Sequence, residues 1–158
     1  MNKQNTIYII ISIFFIITGC SYQSIYSENK NIFFVKNIGI EGDKRIGYIL
    51  KNQILLSSSE ASKNKISIDL NIEKNKNSKV KDISGKITRY EIDLNVTMII
   101  KDDAGNQVLE KKFQKTNDYD VRKNHSETII KEKETAKTLG DQIAEDVIFF
   151  LNLFYKEK

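Results

Sequence analysis

A strict alternation of apolar and polar residues constrains the fold of this chain more than any other feature. Between Arg89 and Lys101, every second position is apolar: Tyr90, Ile92, Leu94, Val96, Met98 and Ile100. A helix turns about 100° per residue and spreads such positions around its axis, whereas a strand puts them all on one face. The pattern predicts a β-strand with one buried and one solvated face, which is typical of antiparallel sheet.

The segments on either side of this strand predict further strands. Residues 102–106 read DDAGN and predict a hairpin turn, because Gly105 and Asn106 tolerate positive φ. A return strand is expected over about 107–117. Its apolar residues Val108, Leu109 and Phe113 do not all share one parity, which favours a bulge or an edge position.

Upstream, residues 65–74 alternate in the same manner and predict another strand. Residues 75–86 are polar and basic, and they predict either a long exposed loop or a flared hairpin tip. The earlier run 32–38 is rich in β-branched and aromatic residues, and it predicts a strand buried on both faces that ends at Gly39 and Gly42.

Two helices complete the pattern. Asp43 is the expected N-cap of the first helix, and Ser57 to Ser59 are expected to end it. Apolar residues at helical spacing predict its buried side: Ile46, Ile49, Leu50, Ile54 and Leu55. The second helix is expected from about 126 to 155, with either Asn124 or Ser126 as its cap. Gly140 within it is expected to permit close packing on the sheet.

The stripe of this second helix contains Ile129, Ala136, Leu139, Ile143, Val147, Leu151 and Phe154. Both helices need an apolar surface to cover their stripes, and the strands offer one. We therefore expect an α+β fold in the order β-α-β-β-β-α, with a small mixed sheet of about four strands and both helices on one face. Residues 32–158 would form this single domain, without an internal repeat.

The start of the chain predicts export. Lys3 precedes an apolar run from Thr6 to Thr18, which has the length and flanks of a secretory signal peptide over residues 1–19. The run is shorter than the roughly 20 residues that span a bilayer. A signal anchor in which Cys20 has no role is the competing interpretation.

The residues Ile17, Thr18, Gly19 and Cys20 resemble the bacterial lipobox. That resemblance implies cleavage before Cys20 and attachment of diacylglyceryl and acyl groups to it, so that residues 20–31 become a lipidated tether. In enterobacteria-like sorting, Ser21 favours the outer membrane over the inner one. Cys20 is the only cysteine, so no disulfide is expected.

The residues that would support catalysis or metal binding are few. His125 is the only histidine, and Asp102 with Asp103 fits a turn better than an acid–base pair. The net charge is +4, and the loss of Lys3 would lower it by one, which is too small a bias to predict nucleic-acid binding. We therefore expect no enzymatic activity and no cofactor besides the lipid on Cys20.

Taken with this element order, three stretches resemble the lipopolysaccharide-assembly lipoprotein LptE (RlpB) family. They are Gly19 to Tyr26 after the lipobox, Arg89 to Val108 in the central hairpin, and Glu132 to Leu151 in the final helix. Ser21 and Ser24 stand where the family usually has glycine and proline. The resemblance implies an outer-membrane lipoprotein that faces the periplasm, plugs the lumen of the β-barrel LptD, helps that barrel assemble and binds lipopolysaccharide.

Basic residues near the predicted hairpin tip are the candidates for contact with lipid A phosphates, because ammonium and guanidinium groups pair with phosphate oxygens. The candidates are Lys76, Lys79, Lys81, Lys86 and Arg89. A solvated charge run on a lysine-rich surface is the competing interpretation.

Two other functions stay open at this level. One is a periplasm-facing lipoprotein that carries or senses a small apolar ligand, which would need a sizeable cavity. The other is an envelope hydrolase that uses Asp102 or Asp103, for which the sequence offers no paired catalytic groups.

Overall fold

Four strands and two helices follow one another in the order β-α-β-β-β-α in the computed structural model, which describes residues 32–156. The strands are β1 (Phe34–Gly42), β2 (Lys65–Lys81), β3 (Ile87–Lys101) and β4 (Gln107–Asp120), and the helices are α1 (Lys44–Leu56) and α2 (His125–Lys156). The predicted α+β fold and its element order are confirmed. The predicted signal peptide 1–19, Cys20 and the tether 20–31 lie outside the described residues.

The sheet is mixed and has the strand order β1-β2-β3-β4. β1 runs parallel to β2, and the other neighbours are antiparallel. The register places Leu70 opposite Met98, so their side chains share one face. That face and both helices form one core, in which Leu94, Leu50 and Ile143 are fully buried. The alternation of β3 therefore separates a covered face from an open polar face of the sheet.

β1 corrects the first strand prediction. It begins at Phe34 and continues through Gly39, and only one of its faces is covered: Val35 and Ile38 are buried whereas Lys36 and Asn37 are exposed. The prediction of burial on both faces is wrong because the helices pack on one side of the sheet only. Gly42 does end the strand, with a φ of +88°.

Helix α1 begins where the sequence predicts. Asp43 is its N-cap, and its Oδ1 accepts a hydrogen bond of 3.1 Å from the backbone N–H of Ile46. Ile46, Leu50 and Ile54 are buried. Leu55 is 40 % exposed, contrary to prediction, because it lies about 100° around the helix from Ile54.

The segment 75–86 resolves as a hairpin and not as a long loop. β2 continues to Lys81, and residues 82–86 make the turn into β3. Residues 75–81 are polar except for Val80, but they stay extended because β3 pairs with them along most of their length, from Asn75 opposite Asp93 to Lys81 opposite Ile87. Of the two alternatives, the flared hairpin tip is right and the loop is wrong.

β4 shows both features that its irregular pattern predicts. It is an edge strand, and its pairing with β3 shifts between Ile100 and Lys101. The strand extends three residues beyond the predicted end, to Asp120. At the predicted turn, Gly105 has a φ of +88°.

Asn124 is the residue that caps α2, since its Oδ1 accepts a hydrogen bond of 3.0 Å from the N–H of Ser126. Gly140 is buried against Ile46 and Ile49 of α1, so it brings the two helices together, and its predicted packing on the sheet is wrong. Ile129 is 37 % exposed and lies at the edge of the predicted stripe. In the part of the chain that the structure describes, no helix is both long enough and apolar enough to span a membrane.

Candidate functional site

The five predicted basic residues all lie on one structural unit. We call it the extended hairpin: residues 75–81 of β2, the turn 82–86 and residues 87–91 of β3. Almost all of its side chains are exposed, whereas the earlier part of β2 alternates between buried and open positions. The hairpin therefore reaches beyond the core, and its basic residues fall into three environments.

Lys76 lies at the base of the hairpin on the same sheet face as the core. Its Nζ is 2.5 Å from Oε2 of Glu132 on α2, and 4.2 Å from the ring centroid of Tyr90. The hydroxyl of Tyr119 on β4 donates a hydrogen bond of 2.9 Å to the same Oε2. These contacts tie β2, β3 and β4 to α2 at one point.

The charges of this cluster reinforce each other. Burial is the largest influence on Lys76 and favours its neutral form, but hydrogen bonds to Glu132 and Tyr119 outweigh it and raise the pKa of Lys76. Burial likewise opposes ionisation of Glu132, and the hydrogen bonds from Lys76 and Tyr119 lower the pKa of that carboxyl group. Lys76 is thus held as one half of an ion pair, and a phosphate would have to compete with Glu132 for it.

Lys79 and Arg89 lie on the open face of the sheet and contact carboxylates there. Lys79 Nζ is 2.7 Å from Glu91 and 3.6 Å from Asp118. Arg89 Nε is 2.8 Å from Asp120, and its Nη1 is 3.4 Å from Asp118. Three carboxylates surround two basic groups, so this cluster has no surplus positive charge.

The turn at the tip has a defined shape. Oδ1 of Asp82 accepts hydrogen bonds from Ser84 Oγ at 2.6 Å and from the backbone N–H of Lys86 at 3.0 Å. The hydrogen bond from Ser84, followed by those from the backbone, lowers the pKa of Asp82. Gly85 completes the turn with a φ of +84°.

The tip presents both apolar and basic groups to solvent. Ile83 is fully exposed and Val80 is 44 % exposed. Among the described residues, the ammonium groups of Lys81 and Lys86 form no salt bridge within 4 Å, although Lys86 lies close enough to Asp82 to help lower the pKa of that carboxyl group. This pairing of aliphatic side chains with available ammonium groups suits an anionic amphiphile better than a fully polar anion.

Sequence reasoning missed the apolar part of this tip. Val80 and Ile83 are two apolar residues within an otherwise polar run, which is the signal that could have singled them out. They stay exposed because the turn lies beyond the reach of both helices, and an isolated hairpin has no second layer to cover them. The structure thus brings Lys81 and Lys86 together with Ile83, and it separates Lys76 from all three.

The other candidate groups have structural contacts. Asp102 accepts a hydrogen bond of 2.8 Å from the N–H of Asn106, which is the expected turn, and Asp103 pairs with Lys36 of β1. His125 is the exposed first residue of α2. Within residues 32–156, no group of three or more His, Cys, Asp or Glu side chains is arranged to hold a metal ion.

A shallow groove of about 430 Å³ lies on the open face of the sheet. Its lining includes the carboxylate residues Glu41, Asp69 and Glu110, together with Ile99. The groove is open to solvent, and its acidic lining does not fit a small apolar ligand.

Known structures share this fold. A crystal structure of the rare lipoprotein B from Shewanella oneidensis matches with a TM-score of 0.59 at 11% sequence identity, covering 77% of this chain and 97% of that chain. A solution structure of an uncharacterized lipoprotein B from Nitrosomonas europaea matches with a TM-score of 0.61 at 13% identity, covering 85% and 94% respectively. A minor lipoprotein from Acinetobacter baumannii matches with a TM-score of 0.51 at 15% identity, covering 75% and 91%.

No protein-family model matches the chain, and no curated protein matches it in sequence. At these identities, the likeness to the solved structures concerns the fold. It extends over almost the whole length of each of the three neighbours. The predicted resemblance to rare lipoprotein B is confirmed at that level.

Proposed function

We propose that this chain is an outer-membrane lipoprotein of the LptE type, which plugs an LptD-like β-barrel, helps it assemble and assists the insertion of lipopolysaccharide at the cell surface. One observation carries the proposal: the β-α-β-β-β-α fold is that of rare lipoprotein B along 97% of the latter's chain. The lipobox-like residues Ile17 to Cys20 add the expected lipid anchor.

The shape of the domain suits a plug. A barrel with an aqueous lumen has a polar interior, so a domain inside it needs polar side chains on its surface. The open sheet face supplies polar side chains that are hydrogen-bonded across the strands. For example, Asp93 of β3 accepts hydrogen bonds of 2.7 Å from Asn77 of β2 and of 2.7 Å from Thr116 of β4. The extended hairpin is narrow and would lead the domain into such a lumen.

Contact with lipopolysaccharide would centre on the tip of the extended hairpin. Lys81 and Lys86 can pair with lipid A phosphates without breaking an existing ion pair, while Ile83 and Val80 offer apolar contact to acyl chains. Lys76, Lys79 and Arg89 would first have to leave Glu132, Glu91 and Asp120. We therefore expect Lys81 and Lys86 to contribute more to this contact than the other three candidates.

The partner is tested by co-purification. A tagged full-length chain is extracted under conditions that preserve outer-membrane complexes, and the proposal expects a barrel of LptD size to come with it in a fixed ratio. A folded monomer without any barrel would contradict the plug.

The lipid contact is tested separately with purified lipopolysaccharide. We expect the double change Lys81→Gln and Lys86→Gln to weaken binding about tenfold or more. The double change Lys79→Gln and Arg89→Gln is the matched control, because it removes the same two charges from groups already paired with Glu91 and Asp120, and it should have little effect. Equal losses in both variants would show that net charge, and not the tip, governs binding.

The alternative is a lipoprotein that carries or senses a small apolar ligand. It needs an enclosed apolar cavity, whereas the groove beside Glu41, Asp69 and Glu110 is open and acidic. The plug therefore accounts for more of the structure. We also propose that the chain is not an enzyme, since Asp102 and Asp103 serve the turn and the pair with Lys36.

A further inference from the structure

One end of the domain exposes apolar side chains that the proposed function leaves unexplained. On the helix layer, Leu56 is 83 % and Phe149 is 70 % exposed, and Leu153 and Leu55 are 46 % and 40 % exposed. Several large apolar side chains exposed at one end of a small domain commonly mark a contact surface. We call this region the tether end.

Both helices point towards the tether end. The last turn of α1 leads to Ser58, whose Oγ accepts a hydrogen bond from the N–H of Val35 in β1. The N–H of Ser59 donates a hydrogen bond to the carbonyl oxygen of Phe33, just before β1. The last turns of α2 run towards the start of β4, because Glu132 near the beginning of α2 meets Tyr119 near the end of β4, whereas Phe150 further along α2 contacts Phe113 in the middle of β4. Helix termini, the start of β1 and the start of β4 therefore lie at the same end of the sheet.

The chain also enters the domain at this end. Ile32 is the first described residue, and its carbonyl accepts hydrogen bonds from Ser62 at 2.6 Å and Asn64 at 2.8 Å, just before β2. Eleven residues lie between Cys20 and Ile32. A segment of that length spans at most about 40 Å, the limit set by a fully extended chain.

We propose that the tether end docks on the surface of the bilayer that holds the lipid anchor. This inference rests on the proposed lipidation of Cys20. Leu56, Leu55, Phe149 and Leu153 would enter the boundary between headgroups and acyl chains, as the apolar faces of interfacial helices do. Lys63 and Lys65, both exposed at the start of β2, would face anionic headgroups.

Because the lipid anchor already holds the domain near the bilayer, a weak contact between the tether end and the bilayer is enough for docking. A short linker holds the domain near the surface at an effective concentration of the order of millimolar. Docking therefore needs only a few partly inserted side chains, and it leaves the extended hairpin at the other end of the sheet. β2 is 17 residues long, so the tip lies roughly 50 Å from Lys65.

The experiment compares two probes on the acylated full chain in vesicles of phosphatidylethanolamine and phosphatidylglycerol. Because the Cys20 thiol is consumed by the lipid, Leu56→Cys or Ile83→Cys supplies a single thiol for a fluorophore. Vesicles that carry a quencher on their headgroups should quench the probe at Leu56 several-fold more strongly than the probe at Ile83. Equal quenching at both positions would overturn the proposal.

A second pair of changes separates docking from proximity. Phe149→Asp and Leu153→Asp, both at exposed positions, are combined with the Leu56 probe. Docking predicts that quenching falls to near the level at Ile83, whereas a tether alone would leave it unchanged and refute docking.

Failure of the lipid anchor is read independently, from the intact mass of the protein. If the mass shows no acyl chains, the proposed lipidation fails. The same two probes in exported Cys20→Ser protein, at high vesicle concentration, still decide whether the Leu56 end prefers the bilayer. A stronger signal at Leu56 supports docking there too, and an equal signal contradicts it.

Discussion

Lys76 of β2 and Glu132 of α2 form an ion pair of 2.5 Å between residues 56 positions apart in the sequence. The pair is partly buried, with 38% and 26% of the two side chains exposed, and the Tyr119 hydroxyl completes it. It lies where the sheet leaves the cover of the helices. The pair therefore holds the base of the extended hairpin in a fixed direction relative to the core.

Removal of the carboxylate should cost stability at this point. We expect Glu132→Ala to lower the free energy of unfolding by about 1–3 kcal/mol, because Lys76 and Tyr119 both lose a charged partner. Glu134→Ala is the control, since its pair with Lys131 has about half of both side chains exposed and should contribute less than about 1 kcal/mol. Chemical denaturation measures both. Equal losses would mean that the Lys76 pair has no special role.

The same carboxylate should make stability depend on pH. The pKa of Glu132 lies below its ordinary value of about 4.3, so its contribution is complete above that pH and disappears as the pH falls through the lowered pKa. We expect Glu132→Gln to be less stable than the natural protein at pH 7. The gap should narrow below about pH 4. Denaturation midpoints at pH 7 and pH 3 test this, and a gap that widens in acid would contradict the sign.

Core truncations should be costly on both layers. Leu94 of β3 and Ile143 of α2 are fully buried, and replacement of either by Ala should destabilise by about 2–5 kcal/mol. Leu56→Ala removes the same kind of side chain at a position that is 83 % exposed, so it should cost less than about 0.5 kcal/mol. If thermal unfolding ranked Leu56→Ala with the other two, the core would be assigned wrongly.

Two glycines with nearly the same φ should respond differently to alanine. Gly42 has a φ of +88°, and a Cβ there would lie 2.0 Å from the carbonyl oxygen of Ile72. Gly85 has a φ of +84° with nothing within 4 Å of the same atom. Gly85→Ala should therefore cost only the left-handed strain of about 1–2 kcal/mol, and Gly42→Ala distinctly more. Unfolding midpoints of the two variants measure this difference. Equal losses would mean that the backbone of Ile72 in β2 leaves room for a side chain at Gly42.

Loss of the predicted lipid site should affect location and not folding. Cys20 precedes every described helix and strand, so Cys20→Ser should give a protein without acyl chains, lost from the outer membrane, whose circular dichroism and melting temperature are unchanged. Membrane fractionation and intact mass measure the first two effects. An unfolded variant would mean that the segment before residue 32 belongs to the domain.

Patterns that act within one element were readable from the residues. The alternation from Tyr90 to Ile100 predicts β3 because a strand has only two faces. Asp43 predicts the start of α1 because a carboxylate satisfies the exposed N–H groups of the first turn. Such signals depend on neighbours along the chain, and they led to the correct order of elements.

Features that depend on distant partners were predicted less well. Residues 75–81 look like a loop by composition, yet they are a strand because β3 supplies their backbone hydrogen bonds. Gly140 was expected on the sheet, but Ile46 of the other helix occupies the space beside it. Whether Gly140 packs on the sheet or on the other helix depends on how the two helices cross, which a pattern within one helix does not specify.

The candidate site shows the same difference between what the sequence predicts and what depends on distant contacts. The five basic residues are predicted from residue type together with the family resemblance, because any lysine or arginine near a turn can meet a phosphate. Only the tertiary structure decided that Lys76 faces Glu132, that Arg89 faces Asp120, and that Lys81 and Lys86 lie beside exposed Ile83. The order of elements follows from local periodicity, which the chain carries in itself. The availability of a charge depends on which carboxylate folding brings within a few ångströms of it, and such pairs join residues far apart in the sequence.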